Sequence, residues 1–321
     1  MSAKTMFGAV SHSPLILIRP EAPADEPKIQ ALNDRFRAEV EKLDPEQIVF
    51  FGNNHFAGFH YSNMPPYCIG TRCEAVDDLG GTPGTIPVPE ADAIALVDYL
   101  RNEGFDPAIS YKMMVDHGFT QPLARLLGGI DKYPLIPVFI SVFTPPLMRY
   151  RRSRLIGEAV GRFIAQSGKR TLIMGTGGIS HHPVRYFPIM GTAEEKVFGY
   201  QLDGERGGTM SDEQWFKRFA DMHIEGAQMV ADGLRTAQDM RMNPDFDLDF
   251  LRRIAEAPLE EMDDWDQAEL IEKAGVGSLE LHTWIAAAAA FRVNAGVAPL
   301  TTFYSPTVEY GTGYGMAFSS L

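Results

Sequence analysis

Over its first 176 residues the chain alternates short apolar runs with longer segments in which apolar residues recur every three or four positions. The short runs are TMFGAV (5–10), EQIVFFG (46–52), PAISYKM (107–113), PLIPVFISV (134–142) and RTLIMGT (170–176). Continuous apolarity over so few residues predicts strands buried on both faces. Between them, 26–43 places Ile29, Leu32, Phe36, Val40 and Leu43 at helical spacing, with Pro27 suited to the first turn. Residues 90–104 read as a helix stopped by glycine, 120–129 as a short helix and 154–168 as a longer one. Buried strands alternating with such helices predict an α/β fold: an α/β/α sandwich around a mostly parallel or mixed central sheet.

Beyond about residue 190 the pattern turns helical, over 212–236, 245–256, 258–274 and 278–295. Trp215, Phe216, Phe219 and Met222 share a helical spacing and read as core. The acidic stretch AEAPLEEMDDWDQAEL reads as a solvated face, and the tail FYSPTVEYGTGYGMAF as a strand or a pocket-lining loop. No repeat or low-complexity linker separates the two textures. The expectation is one catalytic domain over 1–321, with 190–295 a mostly helical elaboration that acts as a lid or an oligomer contact.

Charge and composition narrow the partners. A formal net charge of −13 argues against nucleic acid or an anionic membrane surface, both of which need a basic footprint. A local arginine can still receive an anionic small molecule. Two cysteines, Cys68 and Cys73, are too few for a disulfide scaffold. With no apolar leader and no apolar run of membrane-spanning length, a soluble cytoplasmic protein is expected. A homo-oligomer is expected on general frequency alone.

The histidines carry the chemistry. Of eight, His12, His55, His117 and His181 each follow the carboxyl end of a predicted strand. That edge of an open α/β sheet is where ligands bind, and parallel strands would bring the four imidazoles together there. His60, His182, His223 and His282 share no such phase. The loop GTGGISHHP (175–183) lacks the Lys–Ser/Thr ending of a phosphate loop and the spacing of a dinucleotide fingerprint. Its glycines suit close approach of backbone to a ligand. Two neutral imidazoles and one carboxylate make a facial triad for non-haem Fe(II), and zinc would accept the same donors. Glu280, at the start of the 278–295 helix with Ser278 as its N-cap, offers the carboxylate. A loop histidine serves equally well as a hydrogen-bonded structural residue, and a first-turn glutamate as a partner of the helix dipole.

Six segments then carry a resemblance: SHSPL (11–15), NNHFAGF (53–59), VDHGFTQPLARLLGG (115–129), PLIPVFI (134–140), GTGGISHHP and ELHTWIAAAAA (280–290). Together they resemble the class III extradiol ring-cleaving dioxygenases, of the 2,3-dihydroxyphenylpropionate (3-carboxyethylcatechol) 1,2-dioxygenase type. The likeness runs over 5–183 and returns at 278–290, while 185–275 match poorly. It implies that His12, His55 and Glu280 hold Fe(II), and that His117 and His181 are acid–base residues beside it. It implies that Asp116 orients His117 and gives His182 no role. The activity implied is meta cleavage of a 3-substituted catechol by O2, inserting both oxygen atoms, in aromatic-compound catabolism.

A carboxylated side chain on that catechol would call for a nearby cation, and Arg149, Arg151, Arg152 and Arg154 are on offer. A bulkier lignin- or biphenyl-derived biaryl catechol is the alternative substrate. Some members of the family need a small helical partner subunit; the long helical segment here is expected to supply that cover itself. Two other classes compete: a zinc-dependent hydrolase, and a binding protein that has lost the chemistry. The second would be expected to lack one of the five matching residues, and all five are present.

Overall fold

The computed structural model describes residues 4–321. These residues form strands β1 (Thr5–Val10), β2 (Gln47–Gly52), β3 (Tyr67–Gly70), β4 (Cys73–Ala75), β5 (Gly84–Ile86), β6 (Ala108–Ser110), β7 (Met113–Val115), β8 (Leu135–Ile140), β9 (Thr171–Thr176), β10 (Leu300–Ser305) and β11 (Tyr314–Ser319). Eight of them make one sheet in the order β10-β11-β1-β9-β2-β8-β3-β6. Its middle, β1-β9-β2-β8, is parallel throughout, while β3 and β11 join antiparallel to β8 and β1. The sheet is therefore mixed with a parallel centre, and the fold is α/β as the apolar runs predict.

Alternation along each strand divides the core into two layers. Phe7, Ala9, Val49, Phe51 and Ile173 face the layer that holds the helices Tyr150–Ser167 and Leu281–Ala295. Met6, Val10, Ile48, Phe50 and Met174 face the opposite layer, under Ile29, Phe36 and Val40 of the helix Glu26–Leu43. Full burial of each such side chain contributes roughly 1.5–3 kcal/mol. This double-sided packing fixes the register at the sheet centre. It leaves the strand ends free to carry polar residues.

Three expectations are corrected. The run 107–113 is not one strand: exposed Tyr111 and Lys112 separate β6, at the edge of the main sheet, from β7. β7 instead joins a second, three-stranded sheet in the order β5-β4-β7. The segment 258–274 breaks into a 3-10 turn, Leu259–Met262, and a helix, Gln267–Ala274, because the Asp266 side chain accepts from the amides of Ala268 and Glu269 and starts a new helix. Ser278 is not a helix cap; its hydroxyl donates to Gly275 O at 2.7 Å, and Glu280 itself sits at the N-cap position of Leu281–Ala295.

The helix Asp212–Ala231, opened by a capping box of Ser211 and Gln214, lies over one end of the sheet with the helix Glu195–Asp203. Trp215 and Tyr200 from these helices pack with Phe56 from the loop after β2. The tail is both things its composition allowed: it supplies β10 and β11, and Gly311 between them borders the cavity described next. Among the described residues no helix is long and apolar enough to cross a membrane.

Candidate metal and catalytic centre

β1, β9 and β2 are adjacent and parallel, so the chain leaving each of them enters the same space. β1 delivers His12, β2 delivers His55, and β9 leads into the glycine loop that carries His181. His117 arrives from the small sheet, after β7, as the first residue of the helix His117–Pro122. All four line one cavity with Glu280.

Each ring is aimed by the partner of its Nδ1. His12 Nδ1 shares a hydrogen bond of 2.8 Å with Thr176 Oγ1 at the end of β9. His55 Nδ1 donates to Asp116 Oδ1 at 3.1 Å, and His117 Nδ1 donates to Asp78. A carboxylate only accepts, so His55 and His117 each carry a proton on Nδ1, and Nε2 is the atom each ring turns into the cavity. His12 Nε2 lies 3.6 Å from Glu280 Oε2, and His55 Nε2 lies 3.7 Å from Glu280 Oε1. The ring centroids of His12 lie 5.4 Å from His55 and 5.5 Å from His117. Donor atoms of His12, His55 and His117 all lie within 4.8 Å of one another.

His181 is held differently. A Cβ on Gly178 would stand 2.2 Å from its Cε1, and one on Gly277 would stand 2.1 Å from the same atom. The glycines of the loop are therefore space for this ring, which lies between two stretches of bare backbone. His181 Nε2 is 3.8 Å from Glu280 Oε1, and its buried Nδ1 has no hydrogen-bond partner. Burial lowers the pKa of this imidazole.

The electrostatics call for a cation. Burial alone would raise Glu280, but His12, His55 and His181 around it bring its carboxyl down to about 2. Its Oε2 also accepts from Gly178 N at 2.6 Å. Burial lowers His12 to about 3. For His55 burial acts in the same direction, yet Asp116 and Glu280 overcome it and push the ring up to about 10. Two buried carboxylates thus draw positive charge into a pocket lined by imidazole nitrogens. A divalent ion that accepts nitrogen and oxygen donors fits this set.

Several expected roles change. Asp116 does not orient His117. Its Oδ2 accepts from His55 N at 2.5 Å and its Oδ1 from His55 Nδ1, while Asp78 takes both the Nδ1 and the amide of His117. None of the four expected arginines borders the cavity: Arg154 forms a two-pronged pair with Asp263, Arg152 lies over the Phe105 ring, and Arg149 and Arg151 are exposed. Arg235 borders it instead, with His182, Tyr186, Phe187 and His223. Two histidines outside the strand phase, His182 and His223, are therefore at the site. His223 sits inside a helix and Arg235 in a segment without a strand beside it, so strand periodicity carries no signal for either. Asp78 follows β4 in a turn that the apolar pattern does not mark.

With this geometry in place, the comparisons with known proteins converge. A family described as the catalytic LigB subunit of aromatic ring-opening dioxygenase matches residues 7–314. A 2,3-dihydroxyphenylpropionate/2,3-dihydroxicinnamic acid 1,2-dioxygenase from Azotobacter vinelandii is 37% identical over 311 residues, covering 96% of each chain. One from Pseudomonas putida is 37% identical over 273 residues, covering 85% of each, and one from Dechloromonas aromatica is 34% identical over 311 residues, covering 97% of each. The chain belongs to this metal-dependent family and is an aromatic ring-opening dioxygenase. The family alignment spans 7–314 and so crosses 185–275 as well.

Proposed function

We propose that the chain is an Fe(II)-dependent extradiol dioxygenase that opens a 3-substituted catechol with O2 and places both oxygen atoms in the product. The observation that carries this reading is the convergence of two inward Nε2 atoms, of His12 and His55, on the buried carboxylate of Glu280, with two further imidazoles beside them. His12, His55 and Glu280 are the ligands in this reading. His117 is not a fourth: its ring stacks on His55 at 4.4 Å with planes 22° apart. Lone pairs lie in the ring plane, so near-parallel rings do not aim at one atom.

Iron(II) held there by His12, His55 and Glu280 would supply a Lewis acid and a template for the catechol oxygens and O2. The chain's own residues handle the protons. His117, with its proton fixed on Nδ1 by Asp78, offers Nε2 to accept the catechol proton. His181 has no carboxylate behind its Nδ1, and burial disfavours its charged form. Once protonated it releases the proton readily, which suits the acid that assists cleavage of the ring bond. Phe187 and Phe219 close the site against water from the side of the helical cover, Phe187 4.9 Å from His55 and Phe219 5.4 Å from His117. That cover comes from the same chain, so 1–321 works as one catalytic unit without a second polypeptide. The two thiols, both free and buried, fit a reducing cytoplasm.

The test is oxygen uptake by protein purified anaerobically and loaded with Fe(II). 2,3-Dihydroxyphenylpropionate, catechol, protocatechuate and 2,3-dihydroxybiphenyl are compared. One O2 consumed per yellow ring-opened product is expected. Retained iron with no uptake on any of the four would overturn the reading.

A further inference from the structure

We infer that Arg235 is the residue that selects catechols with an anionic side chain; the inference rests on the ring-opening reading above and names the group that recognises the rest of the substrate. The cavity is bordered by one guanidinium, that of Arg235, and by no lysine. Several of the other partly buried arginines in this acidic chain are paired: Arg154 with Asp263 and Glu158, Arg253 with Asp249 and Glu261, Arg185 with Glu225. Among the described residues no carboxylate lies within ion-pair distance of Arg235. A half-buried guanidinium without an anion forgoes charge-assisted hydrogen bonds that a carboxylate would supply two at a time.

Its placement is built rather than incidental. The guanidinium lies 5.2 Å from the centre of the Tyr186 ring and donates to the Tyr186 hydroxyl. Tyr186 stacks on His223 at 3.7 Å with planes 18° apart, and His223 Nδ1 donates to Phe219 O at 2.7 Å. Phe219 in turn stacks on His117 at 5.4 Å. A continuous wall therefore runs from the proton-accepting histidine to the free guanidinium. Tyr186 satisfies Nη1 and leaves the remaining N–H donors of the fork for a ligand. A catechol whose hydroxyls face His12, His55 and Glu280 has its 3-substituent available to this wall, and a carboxylate on that substituent meets Arg235.

The experiment compares the wild type, Arg235→Met and Arg235→Lys on two substrates of similar shape, 2,3-dihydroxyphenylpropionate and 3-propylcatechol. The measured quantity is the preference, kcat/KM for the anionic substrate over that for the uncharged one. Arg235→Met is expected to lower this preference by about 10- to 100-fold, mainly through KM of the anionic substrate, and Arg235→Lys by less. A merely structural role for Arg235 would weaken both substrates together and leave the preference unchanged, which would overturn the inference. Turnover of 3-propylcatechol by the wild type checks the ring-opening reading separately. Should the wild type open neither ring, calorimetry with 3-phenylpropionate decides the matter. Binding lost in Arg235→Met supports the assignment, and equal binding by both proteins overturns it.

Discussion

The cavity has two halves built on different principles. On the sheet side, His12, His55 and Glu280 stand at the ends of strands or at a helix start, and each is held by a hydroxyl, a carboxylate or a backbone amide. On the cover side, Tyr186, His223 and Arg235 are held mainly by ring stacking and by single hydrogen bonds; the helix that carries His223 exposes Ile224 at 55%, and the turn after it Leu234 at 69%. Buried, hydrogen-bonded donors keep a geometry that an ion needs to a fraction of an ångström. Stacked aromatics tolerate small slides and so accommodate a variable substituent. In the proposed reading, reaction chemistry falls to the sheet side and substrate choice to the cover.

The strongest way to break this division is to remove a donor on the sheet side. Glu280→Ala or His12→Ala should abolish metal retention after desalting and lower turnover by on the order of 10³-fold or more. Metal analysis that finds iron still bound at full occupancy would break the ligand assignment. Next in size is His181→Gln, which should keep the metal and lose about 10²- to 10⁴-fold in kcat. Full activity in that variant would remove His181 from the chemistry.

The two carboxylates behind the histidines sharpen the comparison further. Asp116 backs His55, a ligand in this reading, whereas Asp78 backs His117, the proton acceptor. Asp116→Asn should therefore weaken metal binding by about 10- to 100-fold, seen as a rise in the metal concentration needed for half-maximal activity. Asp78→Asn should leave metal affinity near that of the wild type and lower kcat instead. The reverse pattern would restore the pairing of Asp116 with His117 that the family resemblance implies.

What could be read from the sequence follows this same division. β1, β2, β8 and β9 are buried on both faces, so each leaves a continuous apolar run, and the residue beyond it is found by counting. His12, His55 and His181 were legible for that reason, and Glu280 through the helix it opens. His117 is legible as a motif, although the apolar run before it is not one strand: β6 and β7 are three residues each and belong to different sheets. Tyr186, His223 and Arg235 meet only through packing between segments 12 to 49 residues apart, and helical periodicity does not say which neighbour a helix will face. Asp78 was hidden for a related cause: Asp78 and His117 are 39 positions apart, joined by the small sheet.

The smallest predicted effect probes the anchor of the glycine loop, where the two halves meet. Asp247, buried in the helix Pro244–Glu256, accepts from Ser180 N at 2.9 Å and from Ser180 Oγ at 2.7 Å, one residue before His181. Burial raises its carboxyl to about 6, against the opposing pull of the Ser180 hydrogen bonds. An acid raised on folding holds its proton more tightly in the native state. Its contribution is therefore fully present below the unfolded value near 4, and is lost as pH rises through about 6. Asp247→Asn lacks that titration. The stability difference between wild type and variant, measured by denaturant unfolding at each pH, should thus move in favour of the wild type by about 1–3 kcal/mol from pH 7 to pH 4. Taking the difference at each pH cancels groups common to both proteins, the histidines of the cavity included. A flat difference would mean that the two Ser180 hydrogen bonds hold Asp247 ionised throughout, and that the loop carrying His181 is pinned as rigidly as the strands beside it.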